Sequence, residues 1–165
     1  MLSKQWGTPH MTKKDLILNN LNEIRRRSTI LWQGLPEDCL LWRPDESAMT
    51  AIEIIRHVLQ ADFGWNIIIN RGDMTNYKTP WENRTFLSVK DEIEFAEPYR
   101  QVFLESINKF SDDEISEIRI IHPGNGKEKI LGDYLLRIGY HESVHAGQFL
   151  SYLRAMNVDR PFIWD

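Results

Sequence analysis

The chain has a single cysteine, Cys39, among its 165 residues. One thiol excludes an intrachain disulfide and a cysteine-rich zinc site, and it fits a reducing compartment. Long apolar runs are also missing. The stretch around Ile67-Ile68-Ile69 falls far short of the ~20 apolar residues that span a bilayer. The opening residues, MLSKQWGTPHM, contain no apolar segment like that of a secretory signal. A cytoplasmic protein without a membrane partner is expected. Nor is there a surplus of basic charge: Lys+Arg is 20 against Asp+Glu 24, a net charge of -4. Nucleic-acid backbones are bound by clustered Lys and Arg. The one basic run, Arg25-Arg26-Arg27, reads as a single exposed helix face, so no nucleic-acid partner is expected.

Residues 1–11, with Gly7 and Pro9, read as a loose N-terminal arm. Residues 12–165 form one domain, long enough to bury a core without staples. Apolar spacing predicts a helix over 12–33, ended by Gly34 and Pro36. Thr50-Ala51-Ile52-Glu53 reads as a capping box opening a second helix that runs to about 71 and is apolar on nearly all sides. A third helix spans 88–110, with Pro98 expected to kink or break it. A small hairpin is possible where 117–122 meets 127–130 across Pro123-Gly124-Asn125-Gly126. A fourth helix covers 131–156. The fold class is therefore all-α, a four-helix bundle. Trp6, Trp81 and Trp164 fall outside the helix cores and are candidates for an interface between copies.

Three of the five histidines fall on long helices. His141 and His145 are four apart, so their side chains point about 40° apart, on one helix face. His57 lies on the second helix beside the small residues Ala61 and Gly64, which leave room for an imidazole. Neutral imidazole is the commonest protein metal ligand, and a bundle core brings ligands together from facing helices. Three protein ligands leave a position free for water or substrate, the pattern of a catalytic rather than a structural site. Buried histidines that only hydrogen-bond are the plainer alternative. His10 and His122 read as exposed loop residues.

Residues 141–145 also spell H-E-x-x-H, the zinc-protease helix in which Glu is the general base. Such enzymes need a third ligand, usually downstream. The residues after His145 contain no His, Glu or Cys, which ranks this reading third. Glu142 orients a ligand, acts as a base, or is a helix-surface carboxylate. Gln148, on the ligand face, is a candidate partner for a ligand imidazole. Glu53, four residues before His57, is a further candidate, although the capping box already accounts for it. Tyr134 and Tyr152 read as packing residues.

From about Thr12 onward the sequence resembles the DinB/YfiT-like family of metal-dependent enzymes. The residues that carry the likeness are Trp42-Arg43-Pro44, the segment from Ala51 to His57, and His141-Glu142-Ser143-Val144-His145-Ala146-Gly147-Gln148. Tyr152-Leu153-Arg154 and Arg160-Pro161-Phe162 fit as well. The resemblance implies a four-helix bundle, a divalent metal on His57, His141 and His145, and a homodimer. It implies a small-molecule substrate and either a transferase using a low-molecular-weight thiol cosubstrate or a hydrolase. The metal is one of Zn, Ni, Fe, Co or Mn, all of which accept three imidazoles to differing degrees. The competing class is a bundle that binds a metal or small ligand without catalysis.

Overall fold

The computed structural model describes residues 10–72 and 74–165. Of the expected N-terminal arm, residues 1–9, including Trp6, lie outside the described residues. Four long helices form the bundle: α1 (Lys13–Gln33), α2 (Ala51–Ile69), α3 (Val89–Lys109) and α5 (Leu131–Ala155). A one-turn 3-10 helix, Glu37–Cys39, interrupts the first connection, and a short helix, α4 (Asp112–Glu117), follows α3. Strands β1 (Arg119–Ile121) and β2 (Glu128–Ile130) pair antiparallel with Ile120 opposite Lys129. Among the described residues no helix is long and apolar enough to cross a membrane.

The helix starts follow local chemistry. Thr12, Thr50 and Ser111 each cap a helix, accepting from the backbone N–H three residues on, while Asp15, Glu53 and Glu114 bond back to the cap N–H. The Ser111–Glu114 box is the sequence signal for α4, which the periodicity missed because the helix has only six residues. Pro98 does not break α3, which continues to Lys109. Its ring and the turn before it, at Glu94, are exposed, so the carbonyl that loses its N–H partner can turn to water.

Around the bundle the helices follow the order α1, α3, α2, α5, with α2 packed chiefly on α3 and α1 chiefly on α5. The core has two apolar clusters. One gathers Leu31, Trp32, Ile52, Ile55, Phe149 and Leu153. The other gathers Leu21, Ile69, Phe103, Ile107, Leu131 and Leu135. A layer of charge lies between them. Arg25 of α1 donates bidentately to Glu142 of α5 at 2.9 and 3.0 Å and also reaches Asp62 of α2 at 3.1 Å. Arg100 of α3 donates to Asp62 at 3.2 Å and to the Leu21 carbonyl at 2.8 Å. Each long helix contributes one member, and the two charges of each sign cancel. Arg25 therefore departs from the expected exposed basic face, which Arg26 and Arg27 do occupy with Glu23 and Asp165.

Trp81 is also placed differently from expectation. It is 3% exposed, and its indole N–H donates to Glu92 at 3.2 Å. Glu92, fully buried, is bound by Arg56, whose guanidinium also donates to the Arg84 carbonyl and lies 3.7 Å from the Phe86 ring. This network fixes the long connection between α2 and α3 against the bundle and removes Trp81 from any interface. Trp164 is exposed.

Candidate metal centre

His57 comes from the middle of α2, and His141 and His145 from successive turns of α5. Two helices packed side by side bring the three together, with one nitrogen from each all within 4.8 Å of one another. His141 Nε2 lies 3.0 Å from His57 Nε2 and 3.1 Å from His145 Nε2. The rings meet edge to face, with centroids 4.6 to 5.0 Å apart.

Hydrogen bonding does not account for both short contacts. A neutral imidazole nitrogen carries either one N–H or one lone pair, so His141 Nε2 satisfies one contact and leaves the other unpaired. A shared cation would resolve the conflict. With each nitrogen about 2.1 Å from such a cation, two ligands at a right angle stand about 3.0 Å apart, and at a tetrahedral angle about 3.4 Å apart. The observed spacings fit the near-right-angle case.

His145 is oriented from outside the cluster. Its Nδ1 lies 2.9 Å from Gln148 Oε1, an acceptor, so Nδ1 carries the proton and Nε2 presents a lone pair. Gln148 in turn donates to the Tyr152 hydroxyl at 3.4 Å, and that hydroxyl donates to the Met49 carbonyl at 3.0 Å. Tyr152 thus does more than pack. Tyr134 is buried, and its hydroxyl donates to the Lys127 carbonyl at 2.7 Å.

Both candidate carboxylates are committed to other partners. Glu142 is 4% exposed, and both its oxygens are taken by Arg25. It is neither a surface carboxylate nor poised as a general base, which removes the basis of the protease reading: helical geometry turns residue 142 about 100° from residue 141, onto the core face. Glu53 accepts from the Thr50 N–H at 2.7 Å and serves as the helix cap. His10 is exposed and outside the cluster. His122 stands outside the cluster too, but it is half-buried rather than exposed. Its ring packs on Trp65 at 5.6 Å, and its Nδ1 accepts from the Gly124 N–H.

Burial, followed by the neighbouring His145, pushes the His57 imidazole below its ordinary pKa. Burial together with His145 and His57 lowers His141 to about 4. Both are therefore neutral at physiological pH, the form that ligates. In chelator, the unfolded chain takes up a proton at His141 near pH 6.5, while the native chain resists until about pH 4. The metal-free protein should lose stability as pH falls from 6.5 to 4 and lose no more from this group below that. Urea midpoints of wild type and His141→Gln across that range check this, since the variant lacks the proton and should show a flatter profile.

Cavities open on the cluster from two sides. One, of 280 Å³, is lined by His57, His141, Ala61, Trp65 and Arg137 together with the hairpin. Another, of 450 Å³, runs past Arg43, Met49, Glu53, Gln60 and His57.

Comparison with known proteins agrees with this architecture. The profile of the DinB superfamily matches residues 20–149. YjoA of Bacillus subtilis strain 168 is 21% identical over 154 residues, which cover 92% of this chain and 97% of YjoA. Its crystal structure, described as that of a DinB-like protein, superposes with a TM-score of 0.68 over 90% of this chain and 96% of that one, at 20% identity. A DinB-like protein from Bacillus cereus ATCC 10987 gives 0.67 at 14% identity, covering 90% and 95%. TT2238, a four-helix bundle protein, gives 0.63 at 21% identity, covering 84% and 98%. With the profile spanning most of its length and the bundle in place, the chain belongs to the DinB superfamily.

Proposed function

We propose that the protein is a metal-dependent enzyme acting on a small molecule, with His57, His141 and His145 holding one divalent cation. The observation that carries this reading is the pair of short contacts at His141 Nε2, at 3.0 and 3.1 Å. A bound divalent cation supplies Lewis acidity to an oxygen or sulfur donor of the substrate. Gln148 holds His145 in the ligating tautomer. The Arg25–Glu142 pair fixes the turn of α5 that carries His141. The adjacent cavities, of 280 and 450 Å³, are of a size that suits a small molecule.

Two reaction classes suit such a site: transfer of a low-molecular-weight thiol to an acceptor, and hydrolysis of an ester or amide. Elemental analysis of protein purified without a histidine tag tests the metal. A panel of thiol–acceptor pairs and a panel of esters and amides, each run on chelated and metal-reloaded protein, tests the reaction. Metal-dependent turnover in one panel supports the reading, and a metal-loaded protein inactive in both favours a binding bundle without catalysis. Gln148→Leu should weaken metal affinity by roughly 10- to 100-fold without unfolding the protein, because it removes the partner of a ligand imidazole. Competition against a chromogenic chelator measures this, and unchanged affinity would show that Gln148 does not orient His145.

A further inference from the structure

The 280 Å³ cavity beside His57 and His141 is lined by charge of one sign. Lys127, Lys129 and Arg137 line it, Asn125 adds a neutral polar group, and no Asp or Glu does. The bias runs against the composition, in which acids outnumber bases 24 to 20. The buried arginines elsewhere are committed: Arg25 and Arg100 to Asp62, and Arg56 to Glu92. Among the described residues, no ion pair or hydrogen bond is made by the side-chain nitrogens of Lys127, Lys129 or Arg137; Lys127 bonds Tyr134 and Asn125 through its backbone alone.

The fold explains the arrangement. Alternation along β2 and the exposed residue before it, whose carbonyl accepts from the His122 N–H, puts Lys127 and Lys129 on one face and Glu128 on the other. Lys129 sits opposite Ile120, which is buried, so this face is the inward one. Glu128 sits opposite the exposed Ile121 and pairs with Arg119 at 3.9 Å. Arg137 is one turn before His141 on α5. The hairpin thus brings Lys127 and Lys129, and α5 brings Arg137, to the same cavity that His57 and His141 line. At ~30 Å³ per water, the space holds about nine waters, the size of a small metabolite.

We propose that the substrate is a small organic anion, a carboxylate or phosphate ester. Its charged group rests on Lys127, Lys129 and Arg137, and its reacting end faces His57 and His141. The choice of reacting end rests on the metal-site reading, whereas the capture of the anion does not.

The test is an NMR titration of chelated, metal-free protein at low salt with inorganic phosphate, with succinate, and with the neutral succinamide. Saturable shifts of the Asn125, Lys127 and Lys129 amides are expected with phosphate or succinate and not with succinamide. Whichever anion saturates identifies the headgroup. Arg137→Glu and Lys129→Glu should each weaken binding at least tenfold, while Arg160→Glu on the C-terminal tail leaves it unchanged. Lys127→Glu, on the exposed hairpin, serves as the second variant should Arg137→Glu fail to fold. No saturable shift with either anion overturns the proposal, as does equal weakening by Arg160→Glu, which would mean attraction to general charge. Because no metal is present, failure of the metal site leaves this result standing, and a bound metal does not rescue a failed titration.

Discussion

Excess Ni²⁺ or Zn²⁺ should raise the melting temperature of the chelated protein by roughly 5–11 °C, and His141→Ala should remove nearly all of that gain. A cation at about 100 times its Kd stabilises the native state by about 2.7 kcal/mol. For a chain of this length each kcal/mol moves Tm by about 2–4 °C. His141 is the decisive ligand because it is the nitrogen that both others approach, at 3.0 and 3.1 Å. His57→Ala should keep part of the shift, since the His141–His145 pair on α5 survives it. His10→Ala and His122→Ala should keep all of it, because neither belongs to the cluster. The gain should also shrink as pH falls, because protons compete for the same lone pairs. Equal shifts in wild type, His141→Ala and His10→Ala would put the metal elsewhere and end the three-histidine mechanism.

The second large effect is expected at the charged layer. Arg25→Met leaves Asp62 and Glu142 buried, 1% and 4% exposed, without their shared cation. Removing one partner of a buried ion pair costs about 3–5 kcal/mol, a large share of the ~5–15 kcal/mol that holds a domain folded. Burial alone draws the Arg25 guanidinium downward, yet Asp62 and Glu142 outweigh it and hold its proton more firmly. At Arg100 burial wins, in spite of Asp62. The control is Arg26→Met, one residue along, whose partners Glu23 and Asp165 are exposed. Water screens exposed pairs, so this substitution should cost far less. Replacing all four members together by Met and Leu should recover most of the loss, because the desolvation cost leaves with the charges. Urea unfolding of the three variants decides the matter. An Arg25→Met cost no larger than that of Arg26→Met would show that the layer does not stabilise the fold.

The histidine site was legible because its signals are local. An i,i+4 pair on one helix face needs only the helical repeat, and the Thr50–Glu53 box fixed where α2 begins and hence where His57 points. What was missed is long-range. Arg25 was read with its neighbours in the run Arg25-Arg26-Arg27, although it lies one turn after the buried Leu21 on the same stripe. Asp62, Arg100 and Glu142 likewise interrupt the buried stripes of their own helices. One charged residue on the apolar face of each long helix, two of each sign, was a readable pattern, but only when all four helices were considered at once. Trp81 had no periodic neighbours to reveal its burial, because Glu92, itself held by Arg56, reaches it across a connection. The resemblance supplied the family and the homodimer expectation, and no residue pattern led to the assembly on its own.

The pairing of the helices gives the site a mechanical character. α2 leans on α3 and α5 on α1, so the bundle is two halves that meet along a seam. His57 stands on one side of that seam, with His141 and His145 on the other. A cation shared by all three would be a clasp across it. A slight parting of the halves lengthens the distance from His57 to His141 and leaves the pair on α5 untouched. Under the metal reading, closing the seam and holding the ion would be one equilibrium: whatever tightens the halves would retain the ion, and the ion in turn would tighten the halves.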